Sequence, residues 1–145
     1  MIKYIHRCNN PAVMNIWLGN GYGIEIDVWY HDGKLFSGHD YPEYLIELAS
    51  LHNEMVLVHA KDIETLAFLH SRCWNKDIHY FFHDKDKATL TNWGLIVYHS
   101  SVNLDRKYNS NEIPVLPHYE CYGNAFGVVI DVIDAQINQQ IVAAQ

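Results

Sequence analysis

Seven short apolar runs, at 2–6, 23–28, 56–61, 79–83, 95–99, 113–116 and 128–131, constrain the fold of this 145-residue chain more than any other feature. Each is rich in Ile, Val, Leu, Phe and Tyr and bounded by turn residues or helical patterns, which marks a strand. Amphipathic helices fit between some of them. One follows Asn10, starts at Pro11 and stops near Gly19. A second is expected over 42–52, where Asp40 and Glu43 have capping-box spacing and Tyr44, Leu45, Leu48 and Ala49 share a face. A third is expected over 63–74, capped by Asp62 and burying Ile63, Leu66, Ala67 and His70. Ile133, Ile137 and Ile141 recur at helical spacing, so a closing helix should follow the last strand. Strand and helix alternating, with strands apolar nearly throughout, is the pattern of a parallel sheet covered on both faces, hence the α/β class. A complete eight-stranded α/β barrel takes about 250 residues. This chain would have to lose helices, lose strands or open, and the polar stretch 101–112 stands where a helix is due.

Charge and cysteine usage narrow the function classes. A net charge of −7 and a pI near 5.7 argue against sequence-independent nucleic-acid binding, which needs a basic surface to displace counterions. The first residues carry no apolar leader core, and no stretch approaches the ~20 apolar residues of a membrane span. A single-domain cytoplasmic protein without integral membrane association is the expectation. Cys8, Cys73 and Cys121 are odd in number and far apart, so neither a disulfide framework nor a zinc knot is signalled.

Histidine is the residue out of proportion, ten against ten Lys plus Arg. His6, His59, His83 and His99 stand at or near the C-terminal ends of predicted strands, His118 lies just past another, and His39 follows the segment after Gly33. In parallel α/β sheets that edge collects ligands and catalytic groups. Glu25 and Asp27 are two apart in an apolar strand and so project from one face; His59 and Lys61 do the same. Buried carboxylates need a cation or positive side chains beside them. Carboxylates, imidazoles and a lysine on one edge point to a divalent ion among acid–base groups, the competing reading being a salt-bridge network that only holds the sheet.

In order and spacing, His6-Arg7, Glu25-Ile26-Asp27-Val28, His31-Asp32-Gly33-Lys34 and Gly38-His39-Asp40 resemble the N-terminal signature of the glycerophosphodiester phosphodiesterase family, within the phospholipase-C-like phosphodiesterases. Lys61 stands where that family carries a strand-borne lysine, and Gly127-Val128-Val129-Ile130-Asp131 is similar to its final strand. The resemblance implies a small, reduced or partly open TIM-type (β/α) barrel and a metal-dependent hydrolase of glycerophosphodiester-like or phospholipid-headgroup-like substrates. It further implies Glu25 and Asp27 as metal ligands, His6 and His39 as an acid–base pair, and Arg7 and Lys61 as phosphate contacts, Lys61 also stabilising charge in the transition state. Two departures stand out. Cys8 replaces the glycine after His-Arg, and His59 occupies the position of a third carboxylate ligand. The expected cofactor is one divalent ion, Mg, Mn, Ca or Zn, the histidine favouring the transition metals. The alternative is a non-catalytic module that binds a phosphorylated ligand on a degenerate barrel.

Two structural expectations follow. The apolar run at 95–97 needs cover on both faces, which either a homodimer partner or a long loop would give. The Asp32-Gly33 turn should be a hairpin. A regular two-residue loop would carry His39 away from the carboxylates, whereas a three-residue loop with Gly33 left-handed, or a bulge further along, would keep it on their face.

Overall fold

A computed structural model describes residues 1–72, 77–102, 104, 106–118 and 121–132. All seven predicted runs form strands. They are β1 (Ile2–Ile5), β2 (Gly23–His31), β5 (Val56–Ala60), β6 (His79–Phe82), β8 (Ile96–Tyr98), β9 (Glu112–Pro114) and β10 (Gly127–Ile130), joined by β3 (Lys34–Ser37), β4 (Tyr44–Ile46) and β7 (Ala88–Leu90). Helix α1 (Pro11–Gly19) is capped by the Asn10 side chain, and α2 (Ile63–Arg72) by Asp62, whose Oδ1 accepts from Thr65 N at 2.7 Å. Cys73 and Trp74, and the expected closing helix with Ile133, Ile137 and Ile141, lie outside the described residues.

The TIM-type barrel is not what the chain builds. Its strands form two mixed sheets, and the described residues hold only two α-helices, so there is no ring of alternating β/α units. Parallel pairing does run through β10, β1, β2, β5 and β6, but β3 and β4 add antiparallel to β2, and a second sheet joins β7 antiparallel and β9 parallel to β8. The physical reason lies in the connections. Helices make the β1-to-β2 and β5-to-β6 steps, whereas β2 reaches β5 through a hairpin, β4 and one 3-10 turn (Leu48–Leu51). The expected helix over 42–52 is therefore replaced: Tyr44 and Ile46 alternate at strand period and pair with Ser37 and Leu35, because the open edge of β3 offers partners that an isolated helix could not use.

The face of α2 also differs from expectation. Thr65 and Leu69 are fully buried and Ile63 is exposed, because the Thr65 hydroxyl accepts the Tyr30 amide at 2.7 Å and fixes the helix's rotation. Outward side chains of the parallel strands, among them Ile5, Ile24, Ile26, Val58 and Val128, form the larger core with Met14 of α1 and Leu69 of α2. Inward ones form a smaller layer between the sheets: Tyr4, Leu57, Phe81 and Val129 from one, Val97 and Ile113 from the other. The Tyr4 ring fills the space that side chains at Gly23 and Gly127 would need, since a Cβ there would come within 2.6 and 2.5 Å of it.

Below that layer His79 is fully buried, stacked on Trp93 at 4.0 Å, with neither ring nitrogen hydrogen-bonded. Burial pushes it down to about 4, so it is neutral at pH 7. Its unfolded form takes up a proton first, so folding stability falls as pH drops from about 6.5 towards 4. His79→Phe should flatten that acid limb in urea titrations between those pH values. A slope equal to that of the parent chain would contradict this.

Tyr98 of β8 packs on buried Tyr108, ring centroids 5.6 Å apart, so part of this strand is covered from within the chain. A clasp of exposed Arg106 on buried Glu112 fastens this segment. Glu112 accepts from Arg106 at 2.6 and 2.9 Å, from Asn109 N at 2.6 Å and from the Tyr98 hydroxyl at 3.0 Å. Arg106 holds its carboxyl down at about 2, against the smaller opposing effect of burial. Glu112→Ala strands those donors and should lower unfolding stability by about 3 kcal/mol, with faster proteolysis near 101–112 as the local signature.

Candidate metal centre

Strand β2 carries the two carboxylates inward because its outward positions, Ile24, Ile26 and Val28, are claimed by the larger core. Its neighbour β5 is in register with it, Asp27 opposite His59. His59 Nδ1 thereby comes 2.9 Å from Asp27 Oδ1 and 3.8 Å from Glu25 Oε1. Among the described residues these three form the one group of potential metal ligands whose donor atoms lie within 4.8 Å of one another, and all three are buried. The trio could hold a metal ion. Neighbours on one cation, each bonded at about 2.0–2.6 Å, are separated by distances of this size.

Asp27 is the hub. Its Oδ2 accepts from Asn9 Nδ2 at 3.0 Å and lies 3.1 Å from His39 Nδ1, while Oδ1 is 3.4 Å from Lys61 Nζ. Asn9 completes a two-bond clamp by accepting the Asp27 amide at 2.8 Å. Glu25 is held differently, accepting the Arg7 amide at 2.7 Å. Arg7 is left-handed at φ 51°, an unfavourable conformation for a side-chain-bearing residue, and it turns the amide onto the carboxylate. The two carboxyls are driven apart. Burial and then the Asp27 charge push Glu25 up to about 8. Burial also raises Asp27, but its hydrogen bonds to His59 and Asn9 and the Lys61 charge outweigh that and leave it well below the usual carboxylate range.

These groups open on a cavity of about 580 Å³ at the C-terminal ends of the parallel strands. His6, Arg7, His39 and Lys61 line it together with the trio, so every residue assigned to the site from sequence lies there. His6 Nδ1 is 3.2 Å from Asp131 Oδ1; burial lowers its pKa and Asp131 offsets part of that. His83 and His99 also line the cavity, and exposed His118 is not among its lining residues. The His59 ring is stacked parallel to those of Phe81 and His83, at 4.8 and 4.7 Å. Burial, and then the neighbouring His59, push His83 down to about 4.

His39 arrives by a route different from the one expected. The hairpin has a two-residue loop, His31 facing Lys34 with Asp32 at φ 48° and Gly33 at φ 77°, so the three-residue bulge is absent. Extending that register would put His39 on the wrong face. Instead the chain leaves the ladder at Gly38, whose φ of 152° and amide bond to Asp27 O at 3.1 Å turn the next residue back over the carboxylates. Asp40, expected as a helix cap, begins no helix and sits exposed beside His39. Asn9 and Asp131 were missed as parts of the site; nothing in its local sequence distinguishes Asn9 from a loop residue, whereas Asp131 closes the run that is similar to the family's final strand.

Comparison with known protein families, curated proteins and solved structures finds no match to this chain. Among the described residues no helix is long and apolar enough to cross a membrane.

Proposed function

We propose that this chain is a metal-dependent phosphodiester hydrolase acting on a small substrate of glycerophosphodiester or phospholipid-headgroup type. The observation that carries the reading is one cavity lined by a buried ligand trio, two histidines each beside a carboxylate, and two cationic side chains. The donor set fits an ion, because Glu25 and Asp27 are buried together, and the nearby cationic and imidazole groups hold the Asp27 carboxyl down but do not outweigh burial and the Asp27 charge at Glu25. Glu25, Asp27 and His59 would hold it, and an imidazole among carboxylates favours Mn, Fe or Zn over Mg or Ca. When bound, a divalent ion neutralises phosphoryl oxygens and lowers the barrier to attack on an already anionic phosphorus.

The chain's own groups supply the remainder. Arg7 and Lys61 offset charge that accumulates on the phosphoryl oxygens. With Nδ1–H donated to Asp27 in His39 and to Asp131 in His6, each ring keeps Nε2 for proton transfer. One imidazole takes the proton of the attacking hydroxyl or water as the new P–O bond forms, and the other gives a proton to the departing alcohol. The sequence order of His-Arg, Glu-x-Asp and His-Asp, shared with the glycerophosphodiester phosphodiesterases, supports this assignment and stands independently of any barrel.

The test is metal analysis of the purified protein, then hydrolysis of bis(p-nitrophenyl) phosphate and glycerophosphodiesters before and after chelation. Turnover that disappears on chelation and returns with Mn or Zn supports the reading. Protein that retains no metal and hydrolyses none of these with Mg, Mn or Zn overturns it.

A further inference from the structure

The pairing of β1 with β2 ends at Ile5, opposite Ile24, just before the two carboxylates of β2 begin. The segment that follows β1 takes over as the neighbour of β2. Cys8 N donates to Glu25 O at 2.8 Å, and the Asn9 side chain then stands in for a strand, its Oδ1 accepting the Asp27 amide at 2.8 Å. Asn9 is itself pinned. Its own amide donates to Arg7 O at 2.8 Å, and its carbonyl accepts from the Oγ of fully buried Ser37 at 2.6 Å.

The same segment reaches one oxygen of each carboxylate. Glu25 Oε2 accepts the Arg7 amide at 2.7 Å, and Asp27 Oδ2 accepts from Asn9 Nδ2 at 3.0 Å. The opposite oxygens, Glu25 Oε1 and Asp27 Oδ1, face His59 Nδ1 at 3.8 and 2.9 Å. Each oxygen of a carboxylate has roughly two acceptor sites, and Asn9 with His39 Nδ1, 3.1 Å away, takes up those of Asp27 Oδ2. Oδ1 is left for a cation, at the place where Lys61 Nζ now approaches to 3.4 Å. Asn9 is not among the residues that line the cavity, so its part in the site runs through Asp27.

We infer that Asn9 is a positioning residue that restricts Asp27 to coordination through Oδ1 alone, so that Glu25, Asp27 and His59 present three donor atoms and the ion keeps open positions. This deepens the proposed function and rests on its metal centre. A divalent ion there takes about four to six ligands, so three donors leave room for water and a phosphoryl oxygen, whereas an Asp27 bound through both oxygens closes one of those positions. Without Asn9 the carboxylate turns, and Oδ2 swings onto the ion.

Cobalt(II) added to the metal-free protein tests this without any turnover, because the visible bands of that ion weaken as its coordination number rises. The parent chain should give strong bands that shift when inorganic phosphate takes an open position. Asn9→Ala should bind cobalt about tenfold more weakly, with weakened bands and no shift on adding phosphate. Asn9→Asp keeps the size of the side chain and an acceptor for the Asp27 amide but has no proton to give Oδ2; it guards against loss of the fold and should lose the phosphate shift as well. Ser37→Ala frees the Asn9 carbonyl and leaves its amide in place, so it should keep the parent's bands and shift. Parent-like bands and shift in both Asn9 variants, even with weaker binding, would mean a purely structural role and overturn the inference while leaving the metal centre standing. Equal changes in Ser37→Ala and Asn9→Ala would overturn it too, since any loosening of the segment would then suffice. A parent chain that takes up no cobalt removes the metal centre itself, and this inference with it.

Discussion

Asp27→Asn should abolish hydrolysis, with a loss of at least about a thousandfold in kcat/KM, and should also destabilise the metal-free protein by about 3 kcal/mol. Its carboxylate faces Lys61, His39 and His59 at once. An amide there leaves the largely buried Lys61 ammonium without its counter-charge and removes the acceptor that orients both rings. Glu25→Gln separates the two effects. Because the Glu25 carboxyl is raised by burial and by Asp27, it is mostly protonated at neutral pH in the metal-free chain, and glutamine is close in shape and charge to that form. Metal retention and turnover should fall as far as in Asp27→Asn, while metal-free stability at pH 7 changes by less than about 0.5 kcal/mol. The sign of the pH effect is opposite to that of an ordinary salt-bridged acid. The native carboxyl keeps its proton above the unfolded value of 4.5, so metal-free stability falls as pH rises from there through about 8. Glu25→Gln should remove that slope, as read in urea titrations at pH 5 and pH 8 with chelator present. A Glu25→Gln variant that unfolds as easily as Asp27→Asn would show that the two carboxyls are held alike.

Gly38→Ala is the second large effect, and it acts through the backbone. A Cβ at this position would run into the carbonyl oxygen of Tyr41 and lie 3.1 Å from Glu43 N, at a φ of 152° that side-chain-bearing residues rarely adopt. The loop must move, and it is the loop that presents His39. A stability loss of about 2 kcal/mol is expected, with turnover down about a hundredfold because the imidazole shifts from Asp27. Gly33→Ala, at the hairpin tip where nothing lies within 4 Å of the new methyl group, should cost about 1 kcal/mol by its φ of 77° and leave turnover intact. Turnover lost equally in both would mean that hairpin stability, rather than the Gly38 turn, sets the position of His39.

What could be read from sequence divides along physical lines. Strand positions and the inward pair Glu25 and Asp27 were legible because burial on both faces leaves continuous apolar runs, in which any charged residue stands out. His59 and Lys61 were legible for the same reason, and the register that sets Asp27 opposite His59 agrees with the convergence expected of them. The architecture was not. Whether Tyr44 and Ile46 join a helix or an edge strand depends on the free hydrogen-bonding edge of β3, a partner distant from the local pattern. The rotation of α2 depends likewise on one bond from the Tyr30 amide to Thr65. His39 reaches the predicted face through a turn at Gly38 instead of the expected bulge at Gly33, because two different backbone irregularities satisfy the same parity of side chains. Asn9 stayed hidden because its two bonds to Asp27 join segments that only the folded sheet brings together.

The layer headed by Tyr4, between the two sheets, has a kinetic meaning. Its six side chains are each at most 3% exposed, and Phe81 is shared between layer and cavity. Among the described residues this layer closes the floor of the cavity. For the proposed hydrolysis, substrate and both products would then pass through its open side. The phosphate-bearing product, held by Arg7, Lys61 and the ligand trio, would then be the last to depart, blocking the next substrate while it stays. Competitive inhibition by that product, with slow release setting the turnover rate, is the behaviour that a closed floor imposes.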